Sequence, residues 1–404
     1  MDSGAGSRRK SRPPWAYALL TMALVLVLAG CRPGNLISWG SGWSATAVGS
    51  SGDDVTVYVG TRQGEVIALD ANKNGRLTST EQLLWRFSPP EDQGLGGVFG
   101  GMAVGERYVY VADKGNSDGE QGRLYALFRD RDRGHSSNLR LDLGEWVKQL
   151  EGAIVGAPAL SESEDLVFVG SDDGNMYAFA TTGDDLGARW QFKTDGQVWS
   201  TPAVRDGTVY FGSMDRHVYA LSAETGKMLW RYETGGAVVS TPLLLDDLVI
   251  VGSFDKMLYG LNAATGQVVW SFEGDDWFWA GAVFDGERII AGSMEGTVYA
   301  LDRGGRPAWS TPFKTDSPIV ATPAVVEEAL ERKVLVVAAD SGKLHLVGTR
   351  TGEGMAVLMD LDSRVKAPLS VDGAAVFVGA DDSTVRGINV TRWGAWAWEF
   401  STKK

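Results

Sequence analysis

A segment of about 40 residues recurs along this chain, and a repeat of that length decides the fold before any single motif is weighed. The clearest copies run from Val167 to Phe179, Val209 to Leu221, Val249 to Leu261 and Ile289 to Leu301. Each holds a β-branched run, Gly-Ser, an acidic turn residue and then Tyr. The glycine marks the copies at Gly60, Gly170, Gly212, Gly252, Gly292 and Gly379, and Ala112 and Ala338 fill its place in two more, making eight.

One copy reads as four short strands, at 200–204, 209–211, 218–221 and 229–232. These runs are short, β-branched and aromatic, and Gly, Asp and Asn bound them. Residues 213–216 form a tight turn between the second and third strands. Thr225-Gly226 closes the next turn, as do Thr182-Gly183, Thr265-Gly266 and Thr351-Gly352 in other copies. No repeat carries a sustained helical period. The expected fold is all-β, an eight-bladed β-propeller of four-stranded antiparallel blades. Its blades fall at about 41–90, 97–150, 153–194, 197–234, 237–274, 277–315, 318–361 and 363–402. Seven copies place a Trp in the fourth strand: Trp85, Trp146, Trp190, Trp230, Trp270, Trp309 and Trp396 or Trp398. A large ring at one site per blade is expected to fill the wedge between neighbours.

The run Val218, Tyr219, Ala220, Leu221, followed by Ala223, Thr225, Gly226 and Trp230, resembles the pyrroloquinoline-quinone (PQQ) repeat. The resemblance covers nearly all of the chain after residue 40. Two groups share that repeat. One is the quinoprotein dehydrogenases; the other is a set of non-enzymatic envelope propellers that includes the lipoprotein of the outer-membrane β-barrel assembly machinery. The resemblance implies architecture, and a cofactor only where a site argues for one. It implies for the enzymes an aromatic floor under the quinone, a calcium ion, an Asp base and often a vicinal disulfide. Cys31 is the only cysteine, so that disulfide cannot form. The blades also lack the large insertions of the enzymes. PQQ is not expected, and the chain is read as a non-enzyme.

Arg8, Arg9, Lys10 and Arg12 precede an apolar stretch, 15–28, that is short against the roughly 20 residues of a membrane span. Leu28, Ala29, Gly30 and Cys31 follow at once and look like a bacterial lipobox. The expected organisation is a lipoprotein signal peptide at 1–30, a tether at 31–40 and the propeller at 41–404, with Cys31 acylated. Residues 1–30 hold four of the 38 basic side chains and one of the 51 acidic ones, so a chain beginning at Cys31 is more acidic than the −13 of the whole. Such a surface argues against nucleic acid and against an electrostatic grip on anionic lipid. Membrane attachment is therefore expected through acyl chains.

Two constellations carry candidate chemistry. Residues 70–81 match the twelve-residue calcium loop in full. Asp70, Asn72 and Asn74 offer side-chain oxygens, Arg76 its carbonyl, Thr78 a water-mediated contact and Glu81 a bidentate carboxylate. With two carboxylates and no flanking helices, the loop is expected to hold Ca2+ weakly; a long polar turn is the competing reading. The comparable stretch from Asp130 to Gly134 lacks the later acid and is read as a turn.

The second constellation is a ring. Three residues before the first-strand Pro stand Val155, Trp199, Val239, Val320 and Val365, and the aligned positions elsewhere are Trp43, Phe99 and Trp279. First strands line a propeller's channel, so Trp43, Phe99, Trp199, Trp279 and the adjacent Trp277 form a candidate interaction surface at one mouth. Packing between strands is the competing reading for each of them.

Hydrolytic chemistry finds no support. His135, His217 and His345 fall in different blades, with His217 expected in solvent, and no nucleophile motif frames a Ser. The pairs Asp172-Asp173, Asp275-Asp276 and Asp381-Asp382 are expected to be solvated. The function expected is a non-catalytic, membrane-anchored binding scaffold of the bacterial envelope, with envelope proteins or peptides as partners and outer-membrane protein assembly as the nearest role. A calcium-dependent ligand or carbohydrate binder is the alternative, and a PQQ-dependent dehydrogenase ranks third.

Overall fold

Strands Thr208–Gly212 and His217–Ser222 show why the repeat folds as it does: both are buried on both faces. A strand that meets a neighbour on each side needs an unbroken apolar run, and Val209, Tyr210, Phe211, Tyr219, Ala220 and Leu221 supply one. The outer strand, Met228–Glu233, alternates between buried and exposed because one face and one edge meet solvent. The innermost strand, Ala203–Arg205, is shorter than expected, and Ser200 to Pro202 lead into it outside the ladder.

This computed structural model describes residues 45–51, 54–61, 64–71, 82–89, 96–115, 121–132, 134–140, 144–181, 187–327, 333–390 and 396–402. They belong to a unit that spans Gly42–Lys404. Their strands form eight sheets, each built on an antiparallel A–B–C–D meander from axis to rim, so the chain is an eight-bladed β-propeller. The expected lipidation site Cys31 and the ring residue Trp43 lie outside the described residues.

In blades one, three, four and six a strand-D or adjacent Trp latches the blade to the next, its Nε1–H donating to a carbonyl there. Opposite Trp230 on strand C stands Ala220, and opposite Trp270 stands Gly260, where a Cβ would fall 2.2 Å from the indole. A register shift beside these small residues recurs in five blades, between Ala68/Leu69, Ala178/Phe179, Ala220/Leu221, Gly260/Leu261 and Gly387/Ile388. Trp190 then reaches into the following blade, donating its Nε1–H to the Ala223 carbonyl at 2.8 Å. Its ring lies on Gly226, whose φ of +68° and missing Cβ are both needed there. Trp230 does the same with Ala263 and Gly266, and Trp309 with Thr349 and Gly352. Trp309 does so from outside the ladder, since strand D of blade six is only Phe313–Lys314.

Blades one and eight close the ring by packing. Val57, Val59, Ile67 and Leu69 share one core with Phe377, Val385 and Phe400. The Ser370 hydroxyl donates to the Thr46 carbonyl at 2.8 Å. Blade eight has four strands, so no strand is added to its edge among the described residues.

One element escaped the sequence. The C–D connection of blade two sends out Gly134–Ser136, which pairs in parallel with strand D of blade one, Leu83–Phe87. A buried ion pair anchors this strap, Arg131 Nη1 to Glu145 Oε1 at 2.5 Å. Glu145 also accepts the Phe128 and Arg140 backbone N–H groups, and the Arg131 guanidinium lies 5.0 Å from the Phe87 ring centre.

Candidate functional site

The B–C turns build one mouth of the channel. In blades three, four and five the third turn residue is an Asp that accepts the Tyr hydroxyl of strand C at 2.7 Å: Asp173 from Tyr177, Asp215 from Tyr219 and Asp255 from Tyr259. The other oxygen takes the backbone N–H two residues on, as with Asp215 and His217 at 3.0 Å. These carboxylates hold the turns and are not simply solvated. Asp275 likewise accepts the Ser293 and Thr297 hydroxyls, and those bonds, set against burial, leave its carboxyl below the usual range. Asp382 takes the Arg386 guanidinium and the Thr384 hydroxyl. His217, expected in solvent, is partly buried with its Nδ1 at 3.1 Å from the Asp215 carbonyl.

With the Asp locked, the residue before it is left to project at the mouth. The chain entering each blade threads between two such turns, so Val198 N–H bonds the Ser171 carbonyl and Met214 N–H bonds the Gln197 carbonyl. Phe254 and Met294 bond the entering chain in the same way, at Ala237 and Trp277. The entering residue at one position packs against the strand-B glycine of the preceding blade: Val198 on Gly170, Val238 on Gly212, Phe278 on Gly252 and Ile319 on Gly292. The next residue, alternating in direction, faces the axis.

That alternation makes the ring. Phe99, Val155, Trp199, Val239, Trp279 and Val320 line a cavity of about 590 Å³ on the axis. Val239 is small, so the indoles of blades four and six meet across it, with centres 6.4 Å apart. Phe254, on the turn of blade five, inserts between Trp277 and Trp279, at 4.7 and 5.5 Å and nearly parallel to both. Trp277, Phe254, Trp279 and Trp199 thus form a continuous ladder that ends at the axial cavity. The Trp199 indole N–H donates to Asp172. Burial raises the Asp172 carboxyl above the usual range, the indole bond opposes that, and neighbouring Asp173 adds to it.

In blade eight the ring residue is Lys366, not Val365. Val365 is fully buried in the core of blades seven and eight, while Lys366 lines the cavity and is 5% exposed. This blade is one residue shorter between its core contact and Pro368, so counting back from the proline lands on the wrong side chain. Counting forward from Val365, the core residue that shares a cluster with Ala338 in the strand-B slot of blade seven, finds Lys366. Phe254 carries no such signal, since turns elsewhere place Asp172, Met214 and Met294 at its position.

Of the calcium motif, the described residues hold its first position, Asp70. Asp70 ends strand C of blade one and pairs with Thr56, and strand D resumes at Leu83. C–D connections open at the end of the blade opposite the B–C turns, so Asp70, where the motif begins, lies at the end of its blade away from the aromatic mouth. Asn72, Asn74, Arg76, Thr78 and Glu81 lie outside the described residues. Among the described residues no three metal-ligating His, Cys, Asp or Glu side chains come together.

The sequence model of the family described as outer membrane protein assembly factor BamB matches residues 187–277 and 294–404, half of the chain. The chain belongs to that family. Solved structures agree on the fold. The computationally designed Ika8 protein superposes with a TM-score of 0.65 at 19% identity, covering 87% of this chain and 98% of its own. BamB from Moraxella catarrhalis superposes with a TM-score of 0.60 at 17% identity, covering 82% of this chain and 90% of its own. No curated protein matches the chain. Membership of the BamB family makes a scaffold of the outer-membrane assembly kind the family-level reading, and the PQQ-type repeat an architectural unit.

Proposed function

We propose that this chain is a non-catalytic scaffold of the bacterial envelope, held to a membrane by acyl chains on Cys31, that receives envelope proteins at the aromatic mouth. The observation that carries the reading is the ladder Trp277–Phe254–Trp279–Trp199, in a propeller of the BamB family. Aromatic rings give large contact area with little side-chain entropy to lose, and a closed propeller holds them rigid. Co-purification from detergent-solubilised membranes tests the reading. Wild type should bring down envelope assembly proteins, and Phe254→Ala with Trp277→Ala should bring down far less. Equal capture by both proteins would contradict it. Cys31→Ser should release the protein from the membrane or block signal removal; unchanged membrane fractionation without an acyl group on Cys31 would refute the anchor.

A calcium site at residues 70–81 is a second proposal. It is supported by the full match of residue types at 70–81 and by the Leu69–Leu83 pairing, which sets the strands on either side of the loop next to one another. Calorimetry should show weak binding, in the range of about 10⁻⁴–10⁻³ M, that Glu81→Gln abolishes. No heat for wild type at millimolar calcium would refute it.

A further inference from the structure

We propose that the aromatic mouth takes an extended peptide segment with an Arg or Lys two residues from a large apolar side chain, the cation held at Asp172 and the apolar group packed on Trp279. This rests on the protein-binding reading above and names the sequence that the mouth selects. Asp172 stands at the end of the aromatic ladder, on a turn outside the axial cavity, and is partly buried. One of its oxygens accepts the Trp199 indole N–H, and the other takes no hydrogen bond from the described residues. The carboxylates nearby are bonded without being neutralised. Asp173, Asp215 and Asp255 accept Tyr hydroxyls and backbone N–H groups, which carry no charge. Exposed Asp195, on the chain entering blade four, adds a further negative charge. The cations on these turns are matched already: Arg216 pairs with Glu233 at 3.1 Å and Lys256 with Asp276 at 3.7 Å. Lys193, which donates to the Asp173 carbonyl, offsets only one of the carboxylates left over. An aromatic ladder edged by surplus negative charge is complementary to a cation with an apolar neighbour.

The spacing follows from the ladder. Side chains two apart on an extended segment leave the same face about 6–7 Å apart, and the Trp199 and Trp279 ring centres are 6.4 Å apart. A cation at Asp172, beside Trp199, therefore sets the apolar group over Trp279, where the cavity of about 590 Å³ opens. Lys366 lines that cavity from blade eight and already has an interaction within the fold. Its charge keeps a second cation out, so the partner's cation stays at the turns and the neutral side chain enters. Burial raises the Asp172 carboxyl above the usual range, so a cation that reaches it compensates a desolvated charge and makes a stronger contact than one in open solvent. An acidic segment meets like charge at the same mouth.

Fluorescence anisotropy with the purified full chain tests this. The probe is a short, labelled peptide with blocked ends in which Arg and Phe stand two residues apart. One control replaces Arg by citrulline, its uncharged isostere; the other replaces Phe by Ala. Wild type should bind the probe at least about tenfold more tightly than either control, the loss of one charge-assisted or one apolar contact. Raised salt should narrow the gap between the Arg and citrulline peptides. Asp172→Asn, which still accepts the indole N–H, should bind both of these with the weaker affinity. Equal binding of the Arg and citrulline peptides by wild type, or binding of neither, overturns the proposal without recourse to a variant that could misfold. An Ala control that binds as tightly as the probe marks diffuse charge attraction and overturns it too. Arginine amide that competes as well as the probe marks a small-molecule site and overturns the peptide assignment. If wild type does not prefer the probe while the Phe254→Ala, Trp277→Ala variant still loses capture of envelope proteins, this inference alone fails. If wild type prefers the probe while that variant captures them undiminished, the scaffold reading fails instead.

Discussion

A Cβ on Gly226 would fall 2.6 Å from the Trp190 ring, while a Cβ on Gly207 would meet nothing within 4 Å. Both glycines have φ +68°, so the pair separates backbone strain from the interblade contact. Gly207→Ala should cost about 1 kcal/mol. Gly226→Ala should cost about 1–3 kcal/mol more, read as a lower urea midpoint at unchanged slope. Equal losses would mean that Trp190 does not latch the blades. A second residue gives a pH test. Asp113 is fully buried and accepts the N–H groups of Gly96, Gly115 and Arg123, and burial outweighs those bonds to push its carboxyl from 3.8 up to about 6. Between those values the folded state holds the extra proton, so its contribution is fully present below pH 3.8 and is lost as pH rises to about 6. Wild type minus Asp113→Asn stability should therefore fall with pH across that window and be flat above it. A difference that rises with pH there would refute the assignment.

At the scale of the element, the strap from blade two is anchored at its base by a buried ion pair within that blade. Removing one partner leaves the other charge uncompensated. Arg131→Met should cost about 3–5 kcal/mol, and it should loosen the strap before the blades. Hydrogen exchange at the Ser88 amide, which bonds the Ser136 carbonyl at 3.0 Å, is the local readout. Fast exchange there with protected blade cores is expected; uniform loss of protection would show that the strap is integral to the ring. This element was not legible beforehand, because a three-residue parallel strand has no period and no turn signature. The four-strand blade was legible, because the apolar B and C runs, the turn Asp and the Trp repeat at fixed spacing. Lys366 was hidden by a one-residue shortening before Pro368, and Phe254 by the fact that its partners Trp277 and Trp279 come from the chain entering the next blade.

For the whole molecule, the eight sheets put two kinds of feature on two faces. The B–C turns and the entering segments carry the aromatic ladder and the cavity, and the C–D connections carry the calcium motif. The exposed large apolar residues Met228, Leu229, Val268 and Val269 lie on neither face but on the outer strands of blades four and five. Of the mouth and that rim, the scaffold reading commits to the mouth. A photo-crosslinking amino acid at Met214, beside the ladder on the turn of blade four, should yield adducts with envelope assembly proteins in intact cells, while the same group at Leu229 should yield none. Adducts at Leu229 without adducts at Met214 would contradict the proposed role of the mouth.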